Sequence, residues 1–142
     1  MALGTTLAAD PTTLAPAGAG NKVSLVKAPF TPNENHVVAD FTLADFTGSA
    51  ALVAGNGAQP VGNDPLTAQQ EIDIKEPAGG WRWQCTVAPT PAQTIYGYIL
   101  TDNAGAVLLG MGLLDVPITV TAIGDFVEIG SIKLIFVLQP MS

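Results

Sequence analysis

The sequence predicts a mainly β fold, an antiparallel β-sandwich or β-barrel with one short helical turn and a flexible N-terminal arm. Short apolar or alternating runs recur along the chain, and turn-forming residues, among them many of its 15 glycines and 11 prolines, separate them. No segment keeps a helical apolar period over the roughly 10 to 12 residues that a buried helix needs. With 142 residues, 48% of them hydrophobic, the chain can build one domain with a real core.

The first 21 residues differ in composition from the rest. Ala, Thr, Gly and Pro dominate there, Asp10 is the one charged residue, and no aromatic residue is present. Such a segment buries too little apolar surface to offset its ordering entropy. We therefore predict a flexible arm over residues 1–21, which an assembly could order against a neighbour, and a single β domain over residues 22–142.

The remaining segments indicate strands. They share β-forming residues bounded by Gly, Pro, Asn or Asp. The predicted strands are Val23–Ala28, Ala51–Gly55, Gln69–Glu76, Trp81–Val87, Thr94–Thr101, Val107–Leu114, 118–123 (begun by Pro117), 126–130 and 131–140.

Two strand features carry further predictions. Trp81, Trp83, Cys85 and Val87 alternate with polar residues, so they should share one buried face. Cys85 is the single cysteine, which excludes an intrachain disulfide and favours a small buried hydrophobe.

The best-defined hairpin is Thr94–Thr101 with Val107–Leu114, joined through an Asp-Asn-Ala-Gly turn. Gly97, Gly110 and Gly112 lie inside its strands, where glycine indicates a bulge or a close backbone approach.

The segment TLADFTG predicts the helical turn. Thr42 is placed as the N-cap and Asp45 as the N3 residue that reaches back to it. Phe41 and Phe46 would then form a hydrophobic staple, and Gly48 would end the turn in a left-handed conformation. The alternative is a carboxylate site for a metal or for acid–base chemistry. Asp40 has no place in the capping scheme and could instead cap the turn from outside or bond a neighbouring loop.

Charge excludes one class of partner. The net charge is −7, and the five basic residues are scattered, so no patch could neutralise phosphates, and direct nucleic-acid binding is not expected. The apolar runs fall short of the roughly 20 residues of a membrane-spanning helix, so no membrane partner is expected either.

Catalytic and metal-binding patterns are weak. His36 is the single histidine and follows a turn-rich stretch, and neither Cys85 nor any serine has a nucleophile motif around it. A zinc site would have to rely on carboxylates, and GNDP at 62–65 offers one acid. We predict no enzyme, no cofactor and no catalytic, cofactor-binding or metal-binding residue, with His36 as an exposed loop histidine.

Two runs resemble a group of small virion proteins of tailed bacteriophages: FTPNENHVVADFTLADFTGSAALV (30–53) and TIYGYILTDNAGAVLLGMGLLDVPITVTAIGDFVEI (94–129). The group has LADFTEADFxGY, a Trp-containing strand, the hairpin xIYGYxVTDxxGxxL and a strand between "P" and "GD". The likeness covers roughly residues 21–135. Leu43 departs from the usual Glu, and Ser49 stands where an aromatic residue is common.

The resemblance implies a capsid decoration, or cement, protein that binds the outer capsid surface and stabilises contacts between major capsid subunits. Such proteins are made in the bacterial cytoplasm and end on the virion exterior, and a homotrimer is expected. Residues 1–21 are the candidate contact with the shell or with a neighbouring subunit, and 132–138 would be core or subunit interface. The alternatives are a tail- or fibre-associated receptor- or glycan-binding module using Trp81, Tyr96 or Tyr98, and a small hydrolase using His36 or an acid pair.

Overall fold

The computed structural model describes residues 6–7, 20–54, 60–64, 69–74 and 76–137, with side chains over 20–54, 74 and 76–132. These residues form antiparallel β-strands and one short 3-10 helix, Val38–Asp40. The strands are β1 (Thr6–Leu7), β2 (Lys22–Val26), β3 (Leu52–Val53), β4 (Pro60–Asp64), β5 (Gln69–Ile74), β6 (Trp81–Gln84), β7 (Gln93–Thr101), β8 (Leu108–Val120), β9 (Phe126–Ile129) and β10 (Ile132–Val137).

Three antiparallel sheets result, which confirms the predicted fold class. The largest has the order β1-β8-β7-β2-β3, a second has the order β10-β5-β4, and β6 and β9 form a two-stranded ribbon. The sheets formed by the described strands are open rather than closed into a barrel. Of the two architectures that the sequence predicted, the sandwich is therefore the one that fits.

The β7–β8 hairpin is the centre of the large sheet and was predicted correctly. Its register shifts between Ile95 and Gly97, and again between Leu100 and Thr101, so bulges lie beside two of the predicted positions, Gly97 and Gly110. A Cβ on Gly97 would overlap the carbonyl oxygen of Gly112 and lie 2.8 Å from the Phe30 ring. The close backbone approach predicted from these glycines is confirmed.

The prediction that Pro117 begins a new strand was wrong. β8 runs unbroken from Leu108 to Val120, and its residues 114–117 lie opposite Tyr96 alone in β7, a bulge in which Leu114 is buried and 115–117 are exposed. Proline is compatible with such a bulge because its missing N–H breaks no ladder hydrogen bond there.

The β6–β9 ribbon places its two tryptophans inward. Trp81 and Trp83 are each 1% exposed and stack with ring centroids 6.4 Å apart. Cys85 is buried as predicted and its Sγ donates to the Val87 carbonyl at 3.1 Å, whereas Val87 itself is exposed. The alternation of buried and exposed side chains therefore ends at Cys85, two residues before the end that the sequence predicted at Val87.

Two hydrophobic clusters lie on opposite faces of the large sheet. The main cluster joins the sheet to the β6–β9 ribbon and contains Trp81, Trp83 and Tyr98. A smaller cluster lies under the loop that follows β2, where Phe30, Val38 and Phe41 pack on four buried residues, Val26, Ile99, Leu108 and Met111.

The predicted helical turn in TLADFTG was wrong, and so was the Phe41–Phe46 staple. Instead, Lys27 N–H donates to the Thr42 carbonyl and Ala44 N–H donates to the Leu25 carbonyl, both at 2.9 Å, so the segment runs as a strand-like partner of β2. Phe46 enters the main cluster, while Phe41 enters the smaller one. Pairing with β2 satisfies backbone groups that a helical turn would have used internally.

The helical turn lies one turn earlier in the chain, and Asp40 organises it. Asp40 Oδ2 accepts the Val37 N–H at 2.8 Å, and Asp40 N–H donates to the Val37 carbonyl at 3.0 Å. The Asp40 carboxylate thus caps the turn in which Asp40 itself lies. The sequence had left open whether it caps a turn from outside or bonds a neighbouring loop.

The boundary predicted at residue 21 falls next to the first long strand. Asn21 is buried, and its carbonyl accepts the Ala54 N–H at 2.8 Å, so the described domain includes this residue. Thr6–Leu7 pair with Met111 and Gly110 of β8. The remainder of the predicted arm, residues 1–5 and 8–19, lies outside the described residues.

Candidate functional site

Of the seven exposed large apolar side chains among the described residues, Val37, Leu43 and Val53 lie on other segments, whereas four lie near one end of the β7–β8 hairpin. Here β6 ends, β7 begins, β8 ends and β9 begins. Four residues near this end, which we call the apolar rim, are exposed: Val87, Val116, Ile123 and Phe126. Val116 and Ile123 are each 70% exposed, whereas the Phe126 ring lies under the Arg82 guanidinium, 4.0 Å from the ring centroid.

The turn from β8 to β9 holds Ile123 in place through Asp125. Asp125 Oδ2 accepts the Thr121 N–H at 2.9 Å, the Thr121 hydroxyl at 3.1 Å and the Ala122 N–H at 3.0 Å. Cys85 N–H donates to the Asp125 carbonyl, and Gly124 N–H donates to the Cys85 carbonyl, which fixes the turn to the end of β6. These bonds fix the backbone of the turn that carries Ile123.

The Asp125 bonds predict an acid-sensitive turn. The backbone N–H groups of Thr121 and Ala122, with the Thr121 hydroxyl, hold the pKa of Asp125 below its usual 3.8. Because the pKa of Asp125 is lower in the folded protein than in the unfolded chain, its ionised carboxylate stabilises the fold at pH values above the unfolded pKa. That stabilisation is lost as the pH falls through the folded pKa. We expect wild type to be more stable than Asp125→Asn at pH 6 and to lose this advantage below about pH 4. Urea midpoints from pH 6 to 2.5 test it, and a constant difference would contradict it.

A shallow groove of about 240 Å³ adjoins the rim, lined by residues 45–47, 87–90 and Gln93. Asp45 forms one wall. Its Oδ1 accepts from Lys27 Nζ at 2.8 Å and from Gln93 Nε2 at 2.6 Å, and its N–H donates to Gln93 Oε1 at 3.1 Å. The Lys27 bond, followed by the Gln93 bond, lowers the pKa of Asp45. This carboxylate therefore joins the loop to β2 and β7, and its hydrogen bonds account for it without an acid–base role.

His36 is the centre of a second cluster, in the loop after β2. Its Nε2 lies 3.0 Å from the Thr31 carbonyl and its Nδ1 lies 3.2 Å from Asp40 Oδ2. The Val37 N–H and, after it, the His36 ring lower the pKa of Asp40. The side chain of His36 is 29% exposed, so it is half-buried rather than the freely exposed histidine that the sequence predicted.

The other residues considered from the sequence do not assemble into a site. Cys85 is buried and bonded to Val87, and both nitrogens of His36 contact other groups, so the structure does not pair them. Trp81 and Tyr98 are buried, which removes them from any surface glycan site, and Tyr96 is half-buried. Within the described part of the chain no three metal-ligating side chains cluster.

Comparison with protein-family models, with curated proteins and with solved structures finds no match to this chain. Within the described ranges, none of the helical segments has the length and hydropathy to cross a bilayer.

Sequence reasoning missed the rim. The alternation pattern placed Val87 on a buried strand face and Ile123 in the predicted strand 118–123, and Val116 fell between two predicted strands. The detectable signal was the pair of turn markers Pro117 and Gly124-Asp125, which bracket a strand end and place neighbouring residues outside the ladder.

Proposed function

We propose that this chain is a phage structural protein, a capsid decoration protein that binds the outer capsid surface and stabilises contacts between major capsid subunits. The observation that carries the proposal is the apolar rim, exposed side chains fixed on a hydrogen-bonded turn and a bulge. Contiguous exposed apolar surface is typical of protein-binding sites, and we propose that the rim residues form such a surface; ordering costs on docking are small when the surface is preformed.

The two runs that resemble phage virion proteins support the proposal by their contacts. Phe30, from the first run, packs against Gly97 of the second, and the Asn33 N–H approaches the Met111 sulfur at 3.4 Å. Asp45 bonds Gln93 just before the second run begins. The resembling residues thus build one scaffold that positions the rim, which is the role expected of a structural protein rather than a catalyst.

The mechanism is non-covalent clamping by several copies. We propose a homotrimer, in which each rim contacts a major capsid subunit and the trimer links neighbouring subunits. Each contact can be weak, because linked contacts raise the effective concentration of the next one. The low content of charged residues, 12%, agrees with a chain that forms apolar contacts in a permanent assembly.

The proposal is tested with heads of the phage that encodes this chain. Purified protein should have three times the mass of the 14.5 kDa chain in light scattering and should co-sediment with expanded heads that lack it. Decorated heads should withstand heat or chelator at conditions that open undecorated heads. A protein that stays monomeric and never associates with expanded heads would overturn the proposal.

A charge on the rim should weaken head binding without unfolding the protein. We expect Ile123→Glu to lower head affinity at least about tenfold, because a carboxylate would be desolvated at the contact. Its stability should change by no more than about 0.5 kcal/mol, as is usual at exposed positions. Ala104→Glu, exposed at the opposite end of the β7–β8 hairpin, is the matched control. Equal binding of both variants would exclude the rim as the contact.

The tail- or fibre-associated alternative remains a separate hypothesis. It would have to use residues other than Trp81 and Tyr98, since both are buried. Binding of the purified protein to host cells or to a glycan array, with no binding to heads, would favour it over decoration.

A further inference from the structure

The loop from Pro29 to Phe41, which we call the strap, covers the outer face of the large sheet. Its apolar side chains Phe30, Val38 and Phe41 lie on the smaller hydrophobic cluster. The rings of Phe30 and Phe41 meet edge to face at 5.1 Å. Four sheet residues beneath, Val26, Ile99, Leu108 and Met111, are at most 5% exposed, so opening the strap would uncover an apolar face.

His36 connects the two ends of the strap. Nε2 lies 3.0 Å from the Thr31 carbonyl near its start, and Nδ1 lies 3.2 Å from Asp40 Oδ2 near its end. The ring also packs against Phe41 with centroids 5.3 Å apart. Both nitrogens of the His36 ring therefore lie within hydrogen-bonding distance of an oxygen atom, and the contact with Phe41 holds the ring in that orientation.

Both oxygen atoms can only accept. A backbone carbonyl has no proton to donate, and Asp40 is an ionised carboxylate above about pH 4, the more so because Val37 N–H and the His36 ring favour its charged form. Neutral imidazole has one N–H and one lone pair, so it can donate to only one of these acceptors. The imidazolium donates to both.

We propose that His36 is a proton-dependent latch: the doubly protonated ring ties Thr31 to Asp40 and holds the strap closed, and loss of one proton releases one of the two ties. Histidine is the side chain whose charge ordinarily changes between about pH 5 and 8, so pH values at the two ends of that interval test the latch.

Among the charged groups around the strap, Asp40 is the one that the structure pairs with the His36 ring. Glu34 lies on the strap itself and is exposed. Among the strands beneath, β2 carries Lys22, the hairpin strands β7 and β8 carry Asp115 alone, and Lys27, which follows β2, is bonded to Asp45.

Amide hydrogen exchange of the strap tests the latch. Protection factors of the His36, Asp40 and Phe41 amides, which donate within the strap, are measured by NMR at pH 5 and pH 8 and corrected for intrinsic exchange. In wild type we expect them to fall about three- to tenfold at pH 8, the scale of one lost, partly exposed, charge-assisted bond. Protection of Ile99 and Leu100 in β7 should not change.

His36→Gln is the control variant, because glutamine keeps a donor at this place but does not titrate. Its strap protection should be the same at both pH values. Wild-type protection that is unchanged with pH, or an equal change in His36→Gln, would overturn the proposal.

A second measurement needs no variant. The ring ¹⁵N shifts of His36 and the strap amide shifts should titrate with one common midpoint in wild type. Strap amides that titrate with another midpoint, or that do not titrate, would likewise overturn the latch.

Discussion

Gly48→Ala is expected to destabilise the fold by about 3–5 kcal/mol, because a methyl at this glycine would overlap the backbone of β6. Gly48 is the third residue of a turn closed by the Ser49 N–H on the Phe46 carbonyl at 3.0 Å, and its φ is +109°. A Cβ there would overlap the Gln84 carbonyl oxygen and lie 2.9 Å from the Gln84 carbonyl carbon. The clash is with backbone, so no side-chain rotation can relieve it.

Gly124→Ala separates the clash from the backbone strain. Gly124 has a φ of +95°, and nothing lies within 4 Å of its ideal Cβ position. Gly124→Ala should lower the free energy of unfolding by about 1–2 kcal/mol, the cost of placing an alanine in the left-handed conformation. Urea denaturation of wild type and both variants, read as the midpoint at unchanged slope, gives the comparison. Equal losses for the two alanines would show that Gln84 moves aside freely.

Gly48 also shows where local sequence chemistry was sufficient and where it was not. Gly48 was predicted to end the turn with a positive φ, and the structure has one. The helical turn predicted before it was wrong, although Thr42 and Asp45 have suitable side chains for caps. The carbonyl of Thr42 and the N–H of Ala44 pair with β2 instead, and Asp45 bonds Lys27 and Gln93. Contacts across 18 and 48 residues cannot be read from a seven-residue motif.

Strands with strong alternation or tight turns were predictable because their signals are local. The β7–β8 hairpin carries its own turn residues, and the β6 alternation identified two buried tryptophans. The 3-10 turn at Val38–Asp40 was not predicted, because Val37 lacks the polar side chain that marks a helix start. The two bonds of the His36 ring depend on how the strap folds back on itself, which periodicity does not encode.

Trp83→Ala is expected to cost about 3–5 kcal/mol, since it removes a fully buried indole from the main cluster. Trp83 also fastens the segment after Gly48 to β6, because its Nε1 donates to the Ala50 carbonyl at 3.1 Å. Its loss should therefore loosen both the β6–β9 ribbon and the neighbouring loop.

The hydrogen bond and the packing can be separated with a matched pair, Trp83→Phe and Trp81→Phe. Both residues are 1% exposed and both changes remove the same volume, but Trp81 Nε1 has no hydrogen-bond partner among the described residues. Trp83→Phe breaks a bond, whereas Trp81→Phe removes a buried donor that was unsatisfied. We expect Trp83→Phe to be less stable than Trp81→Phe by about 1–3 kcal/mol.

Each variant keeps one of the two tryptophans, so fluorescence follows unfolding in both. Equal stability of the two variants would mean that the Ala50 bond adds nothing to packing. The Gly48–Ala50 segment would then depend for its position beside β6 on the Gly48 turn, on packing and on the bond from the Thr86 N–H to the Thr47 carbonyl at 3.0 Å.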